Sequence, residues 1–119
     1  MSEMDLLNAI RLKLQERDCL TFRINVGSGV TKHGNYFSTG VKPGFSDICG
    51  VRPDGKAFFI ETKVAPRKPT KEQCNFLLSV IKHNACGGVA YTVQDAIDIV
   101  RWDLDTRVNM IDKLRGYYD

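Results

Sequence analysis

The stretch 46–63, SDICGVRPDGKAFFIETK, constrains this chain more than any other, because it sets a strand pairing down to its register. Arg52-Pro53-Asp54-Gly55-Lys56 is a turn with a mechanism: proline presets the first dihedral, aspartate closes the turn and glycine takes the left-handed position. If Arg52 pairs with Lys56, then Val51 pairs with Ala57, Cys49 with Phe59 and Asp47 with Glu61. Side chains two residues apart share a face, so Lys63 joins the two acids. Like charges directly opposite on a sheet repel, by roughly 3 kcal/mol at ~5 Å and an effective dielectric near 20. The same face carries Cys49, Val51, Ala57 and Phe59 and reads as buried, and buried acids need partners. A divalent metal with an adjacent lysine meets that need.

The rest of the chain supplies helices and further strands around this hairpin. Residues 2–17 read as an amphipathic helix, with Leu7, Ile10 and Leu14 on one stripe flanked by Leu6, Leu12 on the polar side, and Ser2 with Asp5 as an N-terminal cap. Residues 20–26, LTFRINV, alternate and are rich in strand formers. Residues 27–45 hold five glycines and form either a long functional loop or a small hairpin of their own. Ala65-Pro66-Arg67-Lys68-Pro69 is a basic connector that cannot continue a strand. Thr70 with Gln73 is a capping box opening a helix over 70–84, with Phe76, Leu77, Val80 and Ile81 on its apolar face and Gly87-Gly88 as its stop. A strand is expected over 89–93, a third helix over 94–104 and a helical tail over 106–119. The order predicts one α/β domain spanning 1–119, with a short mixed β-sheet flanked by helices.

Bulk properties narrow the class. A chain of 119 residues makes one domain and buries a core without staples. No apolar run is long enough for a membrane span, and the N-terminus lacks the pattern of a signal peptide. The four cysteines, Cys19, Cys49, Cys74 and Cys86, show no CxxC spacing, so zinc is not expected. They read as reduced thiols, which with the missing signal peptide predicts a cytoplasmic protein. A net charge of +3 permits nucleic-acid binding without demanding it.

The acids and lysine suggest a chemistry. Mg²⁺ or Mn²⁺ prefers oxygen ligands and retains waters, so one or two carboxylates suffice. Asp47 and Glu61 are the candidate ligands, with the backbone carbonyl of Thr62 as a third. A bound metal acidifies its water and neutralises charge on a phosphoryl group. Lys63 is placed to orient the attacking water or to stabilise developing negative charge. This set suffices for phosphodiester hydrolysis. Lys32, Lys42, Arg67, Lys68 and Lys71 flank the site in sequence and are candidate phosphate contacts. His33, Tyr36 and Phe37 lie in the glycine-rich segment, where exposure or packing explains them as well as a role does.

Gly44-Phe45-Ser46-Asp47, thirteen intervening residues and then Glu61-Thr62-Lys63 resembles the D…E-x-K signature of the PD-(D/E)XK nuclease superfamily, with its restriction-endonuclease-like core. An early helix with Glu3 near its start, a strand ending near Asn25-Val26-Gly27, and Thr70, Gln73 and Phe76 in a Thr-x-x-Gln-x-x-Phe pattern resemble its VRR-NUC branch, in the small stand-alone form found in phages and viruses. The resemblance covers roughly residues 2–93. One departure is Ser46, where the family usually has proline; serine accepts the same extended backbone. The resemblance implies Asp47 and Glu61 as metal ligands, Lys63 as the catalytic lysine, Gln73 lining the site and Glu3 reaching toward the metal. The structural alternatives, a capping box for Gln73 and a helix N-terminus for Glu3, stay open beside these roles.

The expectation is a Mg²⁺- or Mn²⁺-dependent DNA endonuclease acting on branched DNA such as four-way junctions. It is expected in the cytoplasm, which for a viral protein is that of the host. The family's stand-alone members imply a homodimer. Met110, Ile111, Leu114, Tyr117 and Tyr118 read as the surface for it, being more apolar than a peripheral helix needs. Two alternatives remain: another nicking or restriction-type nuclease of the superfamily, and a non-catalytic DNA-binding subunit on the same fold.

Overall fold

The structure is a computed structural model and describes residues 1–26, 28–38 and 40–119, with Ser28, Gly29 and Phe37 as backbone only. Its elements are α1 (Glu3–Glu16), β1 (Leu20–Arg23), β2 (Ser28–Val30), β3 (Tyr36–Ser38), β4 (Ile48–Val51), β5 (Ala57–Thr62), α2 (Lys71–Lys82), β6 (Cys86–Ala90), α3 (Val93–Arg101) and α4 (Leu104–Gly116). A four-stranded sheet runs β1-β4-β5-β6, with β6 parallel to β5 and the other neighbours antiparallel. The mixed α/β architecture read from the sequence is the one found.

The hairpin has the register its turn implies: Cys49 pairs with Phe59 and Val51 with Ala57. The Arg52 N–H donates to the Lys56 carbonyl at 2.9 Å, the Gly55 N–H donates to the Arg52 carbonyl at 2.8 Å, and Gly55 sits at φ +90°. Asp54 accepts from the Lys56 N–H at 3.2 Å, closing the turn as expected.

The sheet separates two environments. Phe58, Ile60 and Ile48 are fully buried on one face, beneath α1 and α3, together with Ile10 and Leu14. Gly50 is required there, since a Cβ would lie 2.3 Å from the Phe58 ring and 2.0 Å from the Leu20 carbonyl oxygen. The other face, with Cys49, Phe59 and Glu61, is covered by α2 over β5 and β6. Over β1 it is open, where Leu20 and Phe22 are 61% and 51% exposed. On α1 the expected stripe is buried and Leu12 points outward. The capping boxes Ser2–Asp5 and Thr70–Gln73 are both formed, and Thr92–Asp95 adds another.

Several expectations change. Gly87-Gly88 does not stop α2 but lies inside β6, so that strand begins at Cys86 rather than at residue 89. The stop is Asn84, at φ +68°, directly after the His83 cap. The glycines are needed because helices press on β6 from both sides: a Cβ at Gly87 would meet Val80 at 2.9 Å, and one at Gly88 would meet Met110 at 2.7 Å and Ile99 at 2.9 Å. Helix α3 ends at Arg101, where Trp102 turns left-handed at φ 54°. Asp103 then caps α4, which therefore starts before the expected residue 106. Strand β1 ends at Arg23. The segment 27–45 is no structureless loop: β2 and β3 pair as an antiparallel hairpin, the second of the two readings. Gly27, Thr39 and the Phe37 side chain, all within that segment, lie outside the described residues.

The apolar residues expected to face a partner from the C-terminal segment are largely used inside the chain. Met110 and Leu114 are buried, Ile111 and Tyr117 pack against the core, and the Tyr118 hydroxyl donates to the Pro69 carbonyl. Among the described residues no helix is long and apolar enough to cross a membrane.

Candidate active site

Each of the two acids is held by the backbone of the opposite strand. Asp47 sits one position before the first β4–β5 ladder pair, Ile48 with Ile60, and so falls across from Glu61. The Asp47 N–H donates to Glu61 Oε1 at 3.2 Å, and the Thr62 N–H donates to Asp47 Oδ1 at 3.2 Å. The Thr62 hydroxyl adds a 2.6 Å bond to Asp47 Oδ2. On the far side the Asp47 carbonyl accepts from the Ile24 N–H at 2.9 Å, continuing the sheet toward β1. Backbone geometry thus fixes both carboxylates before any ligand arrives.

Lys63 and Gln73 complete the cluster. Lys63 Nζ lies 3.5 Å from Glu61 Oε2, and both residues are buried, at 5% and 4% exposure. The Lys63 N–H is anchored on the Ala90 carbonyl of β6 at 3.1 Å. Gln73, in the first turn of α2, donates from Nε2 to Glu61 Oε2 at 3.1 Å while its Oε1 accepts the Thr70 N–H at 2.8 Å. One side chain therefore closes the cap and contacts Glu61 at the same time.

Burial makes the pair of acids reluctant to ionise. It pushes the Glu61 carboxyl up to about 7, helped by the negative charge of Asp47 and opposed by Lys63. Asp47 is raised as well, chiefly by burial, with its Thr62 hydrogen bonds and Lys63 pulling the other way. Both carboxyls would ionise more readily beside a further cation.

An aromatic wall flanks the acids. Phe45, Phe59 and Phe76 meet with ring centroids 4.5 to 5.9 Å apart. Gly44, at φ +98°, brings this wall against α2, where a Cβ would lie 2.8 Å from the Glu72 carbonyl oxygen. Ser46, in the position where the resembled family usually has proline, is buried and donates to the Ile48 carbonyl at 2.8 Å.

The candidate residues divide clearly. Asp47, Glu61, Thr62, Lys63 and Gln73 come together. Glu3 stands at the rim: its charge is felt by Asp47, and its carboxylate is ion-paired with Arg67. Lys68 turns away to the chain end, 4.4 Å above the Tyr118 ring. Lys42 is exposed beside Phe45 and Phe76, and Lys71 is exposed beside Leu114 and Tyr118. Lys32, His33 and Tyr36 are exposed on the β2–β3 hairpin.

Sequence reasoning missed the Thr62 hydroxyl and the aromatic wall. The wall left a signal, because Phe59 shares the face of Glu61 and Phe76 follows Gln73 by one helical turn. The hydroxyl left none, since alternation assigns Thr62 to the face opposite Glu61.

The donors gathered here are carboxylate oxygens. Among the described residues no group of three or more His, Cys, Asp or Glu is placed to hold a metal ion. Two carboxylates fit a hard cation that keeps several waters, and do not fit zinc.

No family model and no curated protein matches the sequence. A solved structure described as a VRR_NUC domain superposes on 83% of this chain and 94% of its own, with a TM-score of 0.59 at 16% identity. At that identity the likeness is one of fold, and the chain has the VRR_NUC-domain fold.

Proposed function

We propose that this chain is a divalent-metal-dependent endodeoxyribonuclease that hydrolyses phosphodiester bonds in branched DNA such as four-way junctions. The observation that carries the reading is the cross-strand lock of half-buried Asp47 and buried Glu61, two acids with raised pKa values beside a buried lysine. A chain keeps such a destabilising cluster where charge is to be bound. The fold shared with a structure described as a VRR_NUC domain supports the same class.

Asp47 and Glu61 would hold Mg²⁺ or Mn²⁺, with the backbone carbonyl of Thr62 as a further ligand. When bound, the ion neutralises phosphoryl oxygens and acidifies a coordinated water. Lys63 faces the negative charge that develops on the phosphoryl group as one P–O bond forms and the bond to the sugar oxygen breaks. Gln73 holds Glu61 in place and Thr62 holds Asp47. Arg67 and Lys42 stand where phosphates can pass.

Two cuts in a two-fold symmetric junction require two sites related by symmetry, which a homodimer supplies. With the α4 residues used internally, the exposed Leu20 and Phe22 of edge strand β1 are the surface we assign to it.

The test is cleavage of four-way junction, splayed, flap and linear duplex DNA with Mn²⁺, Mg²⁺ or chelator, alongside light scattering. We expect metal-dependent paired nicks in the junction by a dimer, and no cleavage by Asp47→Asn. Equal cutting of linear duplex would remove the junction preference, a stable monomer on junction DNA would remove the dimer, and no cleavage of any DNA would remove the nuclease reading.

A further inference from the structure

We propose that the groove between α2 and α4 is a second phosphate-contact surface, which grips the nucleic-acid backbone a few nucleotides from the scissile phosphate. The proposal rests on the nuclease reading above for the position of that phosphate.

The groove has a volume of about 480 Å³, and its wall carries Lys82, Arg107 and Arg115 and no carboxylate. None of these three cations forms an ion pair with any described residue, whereas Arg67, Arg52 and Lys63 are paired with Glu3, Asp54 and Glu61. Arg107 is half-buried. Guanidinium forks suit phosphate oxygens, which they bind in bidentate fashion.

The groove extends toward the start of α2. An adjoining groove shares Asn75, Leu78 and Arg115 with it and adds Lys71, with Asp119 as its one acid. Lys71 opens α2, and Gln73, two residues on, touches Glu61. From Gln73 to Lys82 the helix rises about 14 Å at 1.5 Å per residue. That is about four base-pair steps along a duplex at 3.4 Å each. The groove therefore lies about four nucleotide steps from the Gln73 end of α2, on the side of that helix that faces α4. Three unpaired cations spaced along one groove with no carboxylate in its wall favour the regularly repeated phosphates of a nucleic-acid backbone over an acidic protein as the occupant.

The five basic residues singled out in the sequence did not include these three, because Lys82, Arg107 and Arg115 are distant in sequence and meet only when α4 packs on α2.

The test compares the full chain with Lys82→Gln/Arg107→Gln/Arg115→Gln, measuring affinity for labelled duplex DNA over a salt series in chelator, where no cutting occurs. Loss of three phosphate contacts lowers the slope of log K against log salt by about 2 to 3. With Mn²⁺ restored, KM for four-way junction DNA rises while kcat and calorimetric Mn²⁺ affinity stay as in the parent. Arg115→Gln alone, at an exposed position, lowers the slope by about 1 and serves if the triple variant does not fold. A parental slope in either folded variant overturns the proposal, as it would if the groove served an acidic protein instead. A reduced slope in a chain that never cleaves DNA would support the groove and overturn only the nuclease reading.

Discussion

Gln73 Nε2 lies 3.1 Å from Glu61 Oε2 while the same amide closes the cap of α2 on Thr70. The helix start and the acidic site are thus one hydrogen-bonded unit. Gln73→Glu keeps the cap, because a carboxylate oxygen still accepts the Thr70 N–H. It also sets a third carboxylate against Glu61. We expect parental thermal stability at pH 5, a lower midpoint at pH 8, and cleavage at pH 7 reduced more than tenfold. Undiminished cleavage would return Gln73 to a purely capping role.

The raised carboxyls make metal-free stability depend on pH. Glu61 moves from an ordinary 4.5 to about 7 in the folded chain, so folding is favoured by protonation. Its stabilising contribution is fully present below about pH 4.5 and is lost as pH rises through about 7. Asp47, also raised, adds with the same sign. The change for Glu61 is on the order of 3 kcal/mol at 1.36 per pKa unit. Unfolding midpoints in chelator should fall from pH 4.5 to pH 8, and Glu61→Gln should flatten most of that fall. Mn²⁺, which favours the ionised acids, should raise the midpoint more at pH 8 than at pH 5. A flat profile in the parent chain would contradict the assignment.

Thr62 tests whether the orientation of Asp47 matters. Thr62→Val removes the hydroxyl 2.6 Å from Oδ2 with little change in volume and leaves the backbone N–H bond in place. Losing a group that orients a ligand typically lowers metal affinity about 10- to 100-fold. Thr62→Ser should stay within a few-fold of the parent. Calorimetric titration with Mn²⁺ decides between them, and parental affinity in the valine variant would show the hydroxyl to be structural.

Lys63 is buried against Glu61 and well inside the fold, which suits a role in the transition state better than a grip on passing phosphates. Lys63→Met keeps the length of the stem and deletes the charge. Turnover should drop by orders of magnitude while the DNA dissociation constant stays within a few-fold. A parallel loss of binding and turnover would instead mark Lys63 as a phosphate contact.

The site was legible in the sequence where local chemistry decides geometry. Pro53, Asp54 and Gly55 specify a turn, the turn specifies a register, and the register places Asp47 opposite Glu61. The capping residues Ser2 and Thr70 were readable for the same reason. What escaped depends on packing between distant segments. Gly87 and Gly88 look like a helix stop until Val80, Met110 and Ile99 are seen pressing on them. The apolar residues of α4 look like an interface until they cover β6 and α2. The pairing of Glu3 with Arg67 joins residues far apart in sequence and has no local signature.

Because each acid is fastened to the other strand's main chain, the site works as a gauge of hairpin alignment. The turn at Gly55 is about 20 Å from Glu61 along the strand at 3.3 Å per residue. Yet any change there that slipped β4 by one residue against β5 would carry Asp47 to the opposite side of the sheet. The spacing of the two carboxylates therefore reports on strand register, and a slip at the distant turn would part them.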